Sequence, residues 1–171
     1  MASNRARLPH PSKGKTGGIL GPNGRDCPKL TVAQSAYLAG LIDGEGSIPI
    51  YKSGKYYNSI LLVANTCREV LVWAQRITGL GRVSTKKQHK GQRLCFVWNV
   101  THKQAASILE KIQHLMIIKA SRANLCIQLQ TLKSLYRNGH GGRVRVGVEA
   151  QRSIYLKAKR MRNKEIAGRA K

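Results

Sequence analysis

Leu38-Ala39-Gly40-Leu41-Ile42-Asp43-Gly44-Glu45-Gly46 is the stretch that decides the fold. The run from Val32 to Ile42 is apolar and free of Pro, as a buried helix requires. Thr31 and Gln34 fit a reciprocal capping box, which starts that helix at about Val32. Ala36, Gly40 and Gly44 recur one turn apart, so a second helix can approach the backbone closely there. Gly44 is the expected terminator. Asp43 and Glu45 arrive at the helix end, two of only seven carboxylates in the chain. Charge at the end of a buried helix is costly unless something cationic is held there. The plainer reading is a buried helix with a Gly-rich cap and two solvated carboxylates.

Working outward, the chain has 171 residues, a size for one domain with tails. Its formal charge of +24, from thirty-one Lys and Arg, points to a polyanionic partner and first to nucleic acid. An anionic membrane is a weaker fit, because no amphipathic basic helix carries the Trp or Phe of an interfacial anchor. The apolar motif run is too short to span a bilayer, and no signal peptide is visible, so no membrane partner is expected. Cys27, Cys67, Cys95 and Cys126 form no C-x-x-C pair, and the five His are scattered. That excludes the usual zinc spacings and a disulfide framework, and fits an intracellular protein.

Residues 1–29 contain Pro9, Pro11, Pro22 and six basic residues, and read as a flexible basic arm. After Gly46 the periodicity changes to two, with Ile48 and Ile50 on one side of a strand. Ser53-Gly54-Lys55 is a hairpin turn, and a second strand runs from about Tyr56 to Ala64, its faces unassigned. A helix starting at Asn65-Thr66 carries Val70, Leu71, Trp73, Ala74 and Ile77 and ends at Gly79. Arg82, Ser84 and Lys86 share one strand face, followed by a basic loop over 86–91. The next strand places Leu94, Phe96, Trp98 and Val100 on one face and Arg93, Cys95, Val97 and Asn99 on the other. Thr101 and Gln104 predict a second capping box, with a helix to about Leu115; a further helix covers about 120–137. The order predicts an α+β fold, αββαββα. A four-stranded antiparallel, saddle-shaped sheet is backed by helices on one face and polar on the other. Such a face can read the DNA major groove through Ser47, Tyr51, Lys52, Arg82, Ser84, Lys86, Arg93 and Asn99.

The motif as it stands, LAGLIDGEG, resembles the signature of the LAGLIDADG homing endonucleases, with Glu45 where the family most often has its second Asp. Asn65-Thr66, Trp73, Thr78 to Val83, Val97-Trp98 and Lys119 with Ala123-Asn124-Leu125 resemble landmarks of its single-motif members, over about residues 30–130. The resemblance implies a homodimeric, site-specific endonuclease that hydrolyses both strands of double-stranded DNA with Mg2+ or another divalent cation. It implies Glu45 and the Gly44 carbonyl as metal ligands, Glu45 and Lys119 as catalytic residues, and Asp43 as a structural residue. The homodimer is expected to form through the motif helix, with Ala36, Ala39 and Gly40 at the interface. Cys67 stands where some relatives have a polar water-positioning residue, and Arg68 is the candidate for a nearby DNA-contacting Arg.

The expected division is a basic arm over 1–29, the endonuclease domain over 30–137 and a basic extension over 138–171. A helix is predicted from about Glu149 to Lys164, with Ile154, Ala158 and Met161 as an apolar stripe among Arg152, Lys157, Lys159, Arg160, Arg162 and Lys164. It is either a clamp on flanking DNA or a solvated helix docked by its stripe. The alternative function is a nucleic-acid-binding protein without cleavage, either a maturase for intron RNA or a DNA-binding regulator. The expected compartment is a bacterial or phage-infected cytoplasm, or an organelle. A ribosomal protein has no need of the LAGLIDGEG helix.

Overall fold

The computed structural model describes residues 26–86, 93–137 and 145–169. Most of the expected arm, the basic loop beyond Lys86 and the Gly-rich linker over 139–142 lie outside the described residues. The elements are α1 (Val32–Glu45), β1 (Gly46–Ser47), β2 (Ile50–Ser53), β3 (Tyr56–Asn65), α2 (Arg68–Thr78), β4 (Arg82–Thr85) and β5 (Phe96–Thr101). Then come α3 (His102–Ile112), a 3-10 turn (Gln113–Leu115), α4 (Ala120–Arg137) and α5 (Arg145–Arg169).

All pairings are antiparallel, in the order β1-β3-β5-β4, with β2 also on β3. The sheet therefore has five strands where four were expected. The cause is Pro49, which has no N–H to donate. Its carbonyl still accepts the Ile60 N–H at 3.2 Å. The register runs on unchanged from Ser47↔Leu62 to Ile50↔Ser59, so β1 and β2 are one strand interrupted at the proline.

Strand β3 settles the faces that its apolar run concealed. Tyr57, Ser59, Leu61 and Val63 are buried under the helices, and Asn58, Ile60, Leu62 and Ala64 are half-buried on the outer face. Val63, Trp98 and Val83 form a row on the inner face, packed with Leu38, Ile42, Leu71, Ile108 and Ile112. The Trp98 indole N–H donates to the Leu80 carbonyl at 3.0 Å. Gly81, at φ +75°, lies beneath that ring; a Cβ there would stand 2.6 Å from Trp98 Nε1 and from Val100 Cγ2. Only glycine meets both conditions.

Local signals succeeded and failed for identifiable reasons. The Thr31 box forms: Gln34 N–H donates to Thr31 Oγ1 at 3.2 Å and Thr31 N–H to Gln34 Oε1 at 2.9 Å. The Thr101 box does not, because Thr101 makes no side-chain cap and His102 enters α3 at φ +51°. Gly44 does not end α1 either; the helix continues to Glu45, and Gly46 caps it by donating to the Ile42 carbonyl. A Cβ at Gly46 would sit 2.5 Å from that same oxygen. Helix α2 starts at Arg68, after an Asx turn in which Asn65 Oδ1 accepts the Cys67 N–H at 2.8 Å. The core begins before residue 30: Cys27 is buried and its N–H donates to Ser107 Oγ at 2.8 Å.

Helix α5 is longer than expected at both ends. Its apolar stripe docks in a second cluster, where Ile154 meets Tyr57, Leu125 and Leu129, with Ala158 and Met161 alongside. Tyr155 packs against Tyr57 with ring centroids 5.1 Å apart. Lys133 of α4 donates to the Tyr57 carbonyl at 3.0 Å and to Asn58 Oδ1 at 2.6 Å, so the β2–β3 hairpin is held by polar groups of α4 as well.

Candidate nucleic-acid interface and acidic centre

The end of α1 is built by an exchange between Asp43 and Lys119. The Asp43 carboxylate is buried and accepts three successive main-chain N–H groups, from Ile117 (2.5 Å), Ile118 (3.1 Å) and Lys119 (2.9 Å). Burial pushes its pKa up, but those donors and the Lys119 charge outweigh it and hold the carboxyl below its ordinary value. In return the Lys119 ammonium donates to the carbonyls of Ile42 (3.1 Å), Asp43 and Gly44 (3.4 Å). These are carbonyls of the last turn of α1, where the helix dipole favours a cation. Asp43 thus ties residues 117–119 to the end of α1.

Glu45 is the last residue of α1 and is exposed, one position from the Gly44 carbonyl. This is a pair of hard oxygen donors at the negative end of a helix, which suits Mg2+. Among the described residues no three His, Cys, Asp or Glu are grouped to hold a metal ion. One chain thus offers a carboxylate and a carbonyl, and any further ligands must be water, phosphate or groups from another molecule. The Cys67 thiol donates to Glu69 Oε2 at 3.3 Å. The Glu69 carboxyl is held below its ordinary value by its own N–H and by that thiol.

The outer sheet face collects most, not all, of the expected reading residues. Ser47, Leu62, Asn99 and Arg82 lie in one row across β1, β3, β5 and β4. Ala64, Val97 and Ser84 form the next row. Tyr51 opposes Asn58 on the same face of the hairpin. Arg82, Ser84, Asn99, Thr101 and Gln104 line an open groove with Gly79 and Gly81. Within it Asn99 Oδ1 is buried and has no hydrogen-bond partner among the described residues. Lys86 and Arg93 are exposed just beyond β4 and before β5, joined there by the Lys86 N–H to Cys95 carbonyl bond of 2.8 Å.

One assignment is corrected. Lys52 opposes Tyr57 and so lies on the helix side of the hairpin; a strand's alternation forbids Tyr51 and Lys52 from sharing a face. Arg68 is exposed but opens α2, off the sheet.

On α1, Ala36, Gly40 and Gly44 are exposed, and a Cβ at either glycine would meet nothing within 4 Å. Val32 (85 % exposed) and Tyr37 (57 %) extend that face. Ala39 does not belong to it: at 1 % exposure it packs in the core with Leu38 and Ile42. Sequence reading passed over Ile117 and Ile118, which are 91 % and 74 % exposed beside the end of α1. The signal was available in the apolar run Leu115 to Ile118, which continues past the end of α3.

Comparison with solved structures decides the architecture. An archaeal intron-encoded homing endonuclease complexed with DNA, I-Vdi141I, superposes with a TM-score of 0.60 at 19% identity, over 75% of this chain and 83% of that one. The chain has the LAGLIDADG homing-endonuclease fold. Two further endonucleases share it. I-SmaMI, a LAGLIDADG homing endonuclease bound to cleaved DNA, matches at 0.54 and 22% identity, over 75% of this chain and 44% of that one. I-LtrWI, bound to target DNA, matches at 0.57 and 17%, over 76% and 46%. No family model and no curated protein sequence matches the chain. The LAGLIDADG fold is thus carried at low identity by the pattern of buried, small and acidic positions. No helix among the described residues is long and apolar enough to cross a membrane.

Proposed function

We propose that the chain is a LAGLIDADG homing endonuclease: a site-specific, divalent-cation-dependent nuclease that cuts both strands of duplex DNA as a homodimer. The observation that carries this reading is the end of α1. It places an exposed carboxylate, Glu45, and the Gly44 carbonyl directly between a bare small-residue helix face and a polar sheet face.

Glu45 and the Gly44 carbonyl would hold the cation, which when bound would supply an activated water and stabilise the leaving oxygen. Lys119 holds the carbonyls of the last α1 turn in place and adds positive charge beside the scissile phosphate. One Glu45 per chain suffices for one strand. A two-fold dimer through Ala36, Gly40 and Gly44 supplies the second. The sheet face contacts the duplex through Ser47, Tyr51, Arg82, Ser84 and Asn99, with Lys86 and Arg93 at its margin. That two of the matched endonucleases are covered to less than half their length supports a unit that works in pairs.

One observation favours a second reading. Cys67, where some relatives carry a polar residue, is engaged with Glu69, and the described residues group no three metal-ligating side chains, which also suits a binder of DNA or intron RNA that does not cut. Incubating the protein with the intron-free form of its host locus, in Mg2+ or EDTA, beside Glu45→Gln, separates the two. Mg2+-dependent double-strand cutting at one site, lost in the variant, establishes the nuclease. Tight binding without cutting establishes the binder, and intron RNA offered in parallel identifies a maturase.

A further inference from the structure

Helix α5 presents a surface that the motif does not explain. Its inner side is fixed: Gln151 and Ile154 are buried, Tyr155, Ala158 and Met161 are half-buried, and Gln151 Oε1 accepts the Tyr57 N–H at 3.4 Å. Its remaining sides carry Arg152, Lys157, Lys159, Arg160, Arg162 and Lys164, all exposed. Opposing charge among the described side chains of α5 comes from Glu149 alone. From Arg152 to Lys164 these cations span about 20 Å of helix, a strongly basic ridge.

The ridge is not isolated. Lys52, on the helix side of the β2–β3 hairpin, pairs with Tyr57, and Tyr57 stacks on Tyr155 of α5. Lys55 is exposed in the hairpin turn. The hairpin therefore sits with Lys52 and Lys55 beside α5 while presenting Tyr51 and Asn58 on the outer sheet face. The docking keeps the ridge at a fixed place against the sheet, unlike a solvated tail.

We propose that α5, with Lys52 and Lys55, is a second, sequence-independent phosphate-binding surface for duplex DNA, adjoining the strand face. This rests on the DNA-binding reading above. Flexible Lys and Arg side chains on a docked helix neutralise backbone phosphates, which position a duplex and do not read it. Duplex DNA is favoured over RNA because the hairpin that α5 packs against also edges the outer sheet face.

The test measures affinity of the full chain for a random-sequence 40-bp duplex between 50 and 200 mM salt. The variant is Lys157→Gln/Lys159→Gln/Arg160→Gln, and the control is Arg76→Gln/Lys103→Gln/Lys111→Gln, which removes the same charge from exposed sites on α2 and α3. The α5 variant lowers the slope of log affinity against log salt by about 2.7, at ~0.9 per lost phosphate contact, and the control lowers it by far less. An unchanged slope in the α5 variant, or an equal drop in both, overturns the proposal. Selective loss of single-stranded RNA binding by the α5 variant also overturns it and assigns the ridge to RNA. Absence of duplex binding by the unmodified chain overturns the DNA reading itself, a result that the variant comparison cannot mimic.

Discussion

Asp43 and Lys119 each secure the other's segment: the carboxylate of one binds the main-chain N–H groups of 117–119, and the ammonium of the other binds the carbonyls of 42–44. The exchange ties the motif helix to the entrance of α4, across 76 positions of sequence. It also fixes the Gly44 carbonyl and the base of Glu45, so the acidic centre inherits its geometry from a structural pair.

Substituting Asp43 tests that dependence. Asp43→Ala removes the acceptor of three part-buried main-chain N–H groups, at a cost of about 1–3 kcal/mol in chemical denaturation. Because the folded carboxyl titrates below the unfolded one, its contribution is full above the unfolded pKa. It is lost as pH falls through the folded pKa. Asp43→Asn should therefore flatten the acid limb of the stability profile while folding at neutral pH. An unchanged acid limb would contradict the assignment.

Lys119 contributes differently. Lys119→Met removes the cation at the end of α1 and costs about 1–2 kcal/mol through lost charge-assisted bonds to the last turn. Mg2+ binding by titration calorimetry should persist, since Glu45 and the Gly44 carbonyl remain. Loss of Mg2+ binding in Glu45→Gln but not in Lys119→Met would separate ligand from supporting residue.

Gly81 is the second place where one atom decides the fold. In Gly81→Ala the backbone stays at φ +75° and the new methyl overlaps Trp98 Nε1, Val100 and the Asn99 carbonyl. The Trp98 to Leu80 bond must shift to make room. Overpacking and positive φ together cost roughly 2–4 kcal/mol. Urea denaturation followed by circular dichroism should report a midpoint well below that of the parent.

The fold was legible because its strongest signals are periodic: the alternation through Trp98 and Val100, the Thr31 box, and the glycines at 79 and 81. What escaped sequence reading depends on contacts distant in the chain. Cys27 docks on Ser107, and Lys133 and Gln151 reach back to the hairpin, none of which has a local pattern. At the candidate site, motif spacing located Asp43 and Glu45 but not the division between them, which needed the position of residues 117–119. Lys52 was misplaced because it was grouped with Tyr51 against the strand's own alternation, which sets it with Ile50; pairing with Tyr57 confirms the helix side. Ala39 was placed on the dimer face because small residues occur on both sides of α1, and only burial distinguishes them.

That distinction yields the sharpest test of the dimer. Gly40 is exposed on α1 with open space where a side chain would go, so Gly40→Ala relieves a mid-helix glycine and stabilises an isolated chain by about 1 kcal/mol. In a dimer built on close helix approach the same methyl occupies the contact, and Gly40→Leu occupies it fully. Sedimentation should therefore show a dimer for the parent, a weakened dimer for Gly40→Ala and a folded monomer for Gly40→Leu. Ala39→Leu instead overpacks the core and lowers stability without selecting the monomer. If Gly40→Leu remains dimeric, the α1 face is not the interface, and the exposed Ile117 and Ile118 become the surface to examine by Ile117→Lys.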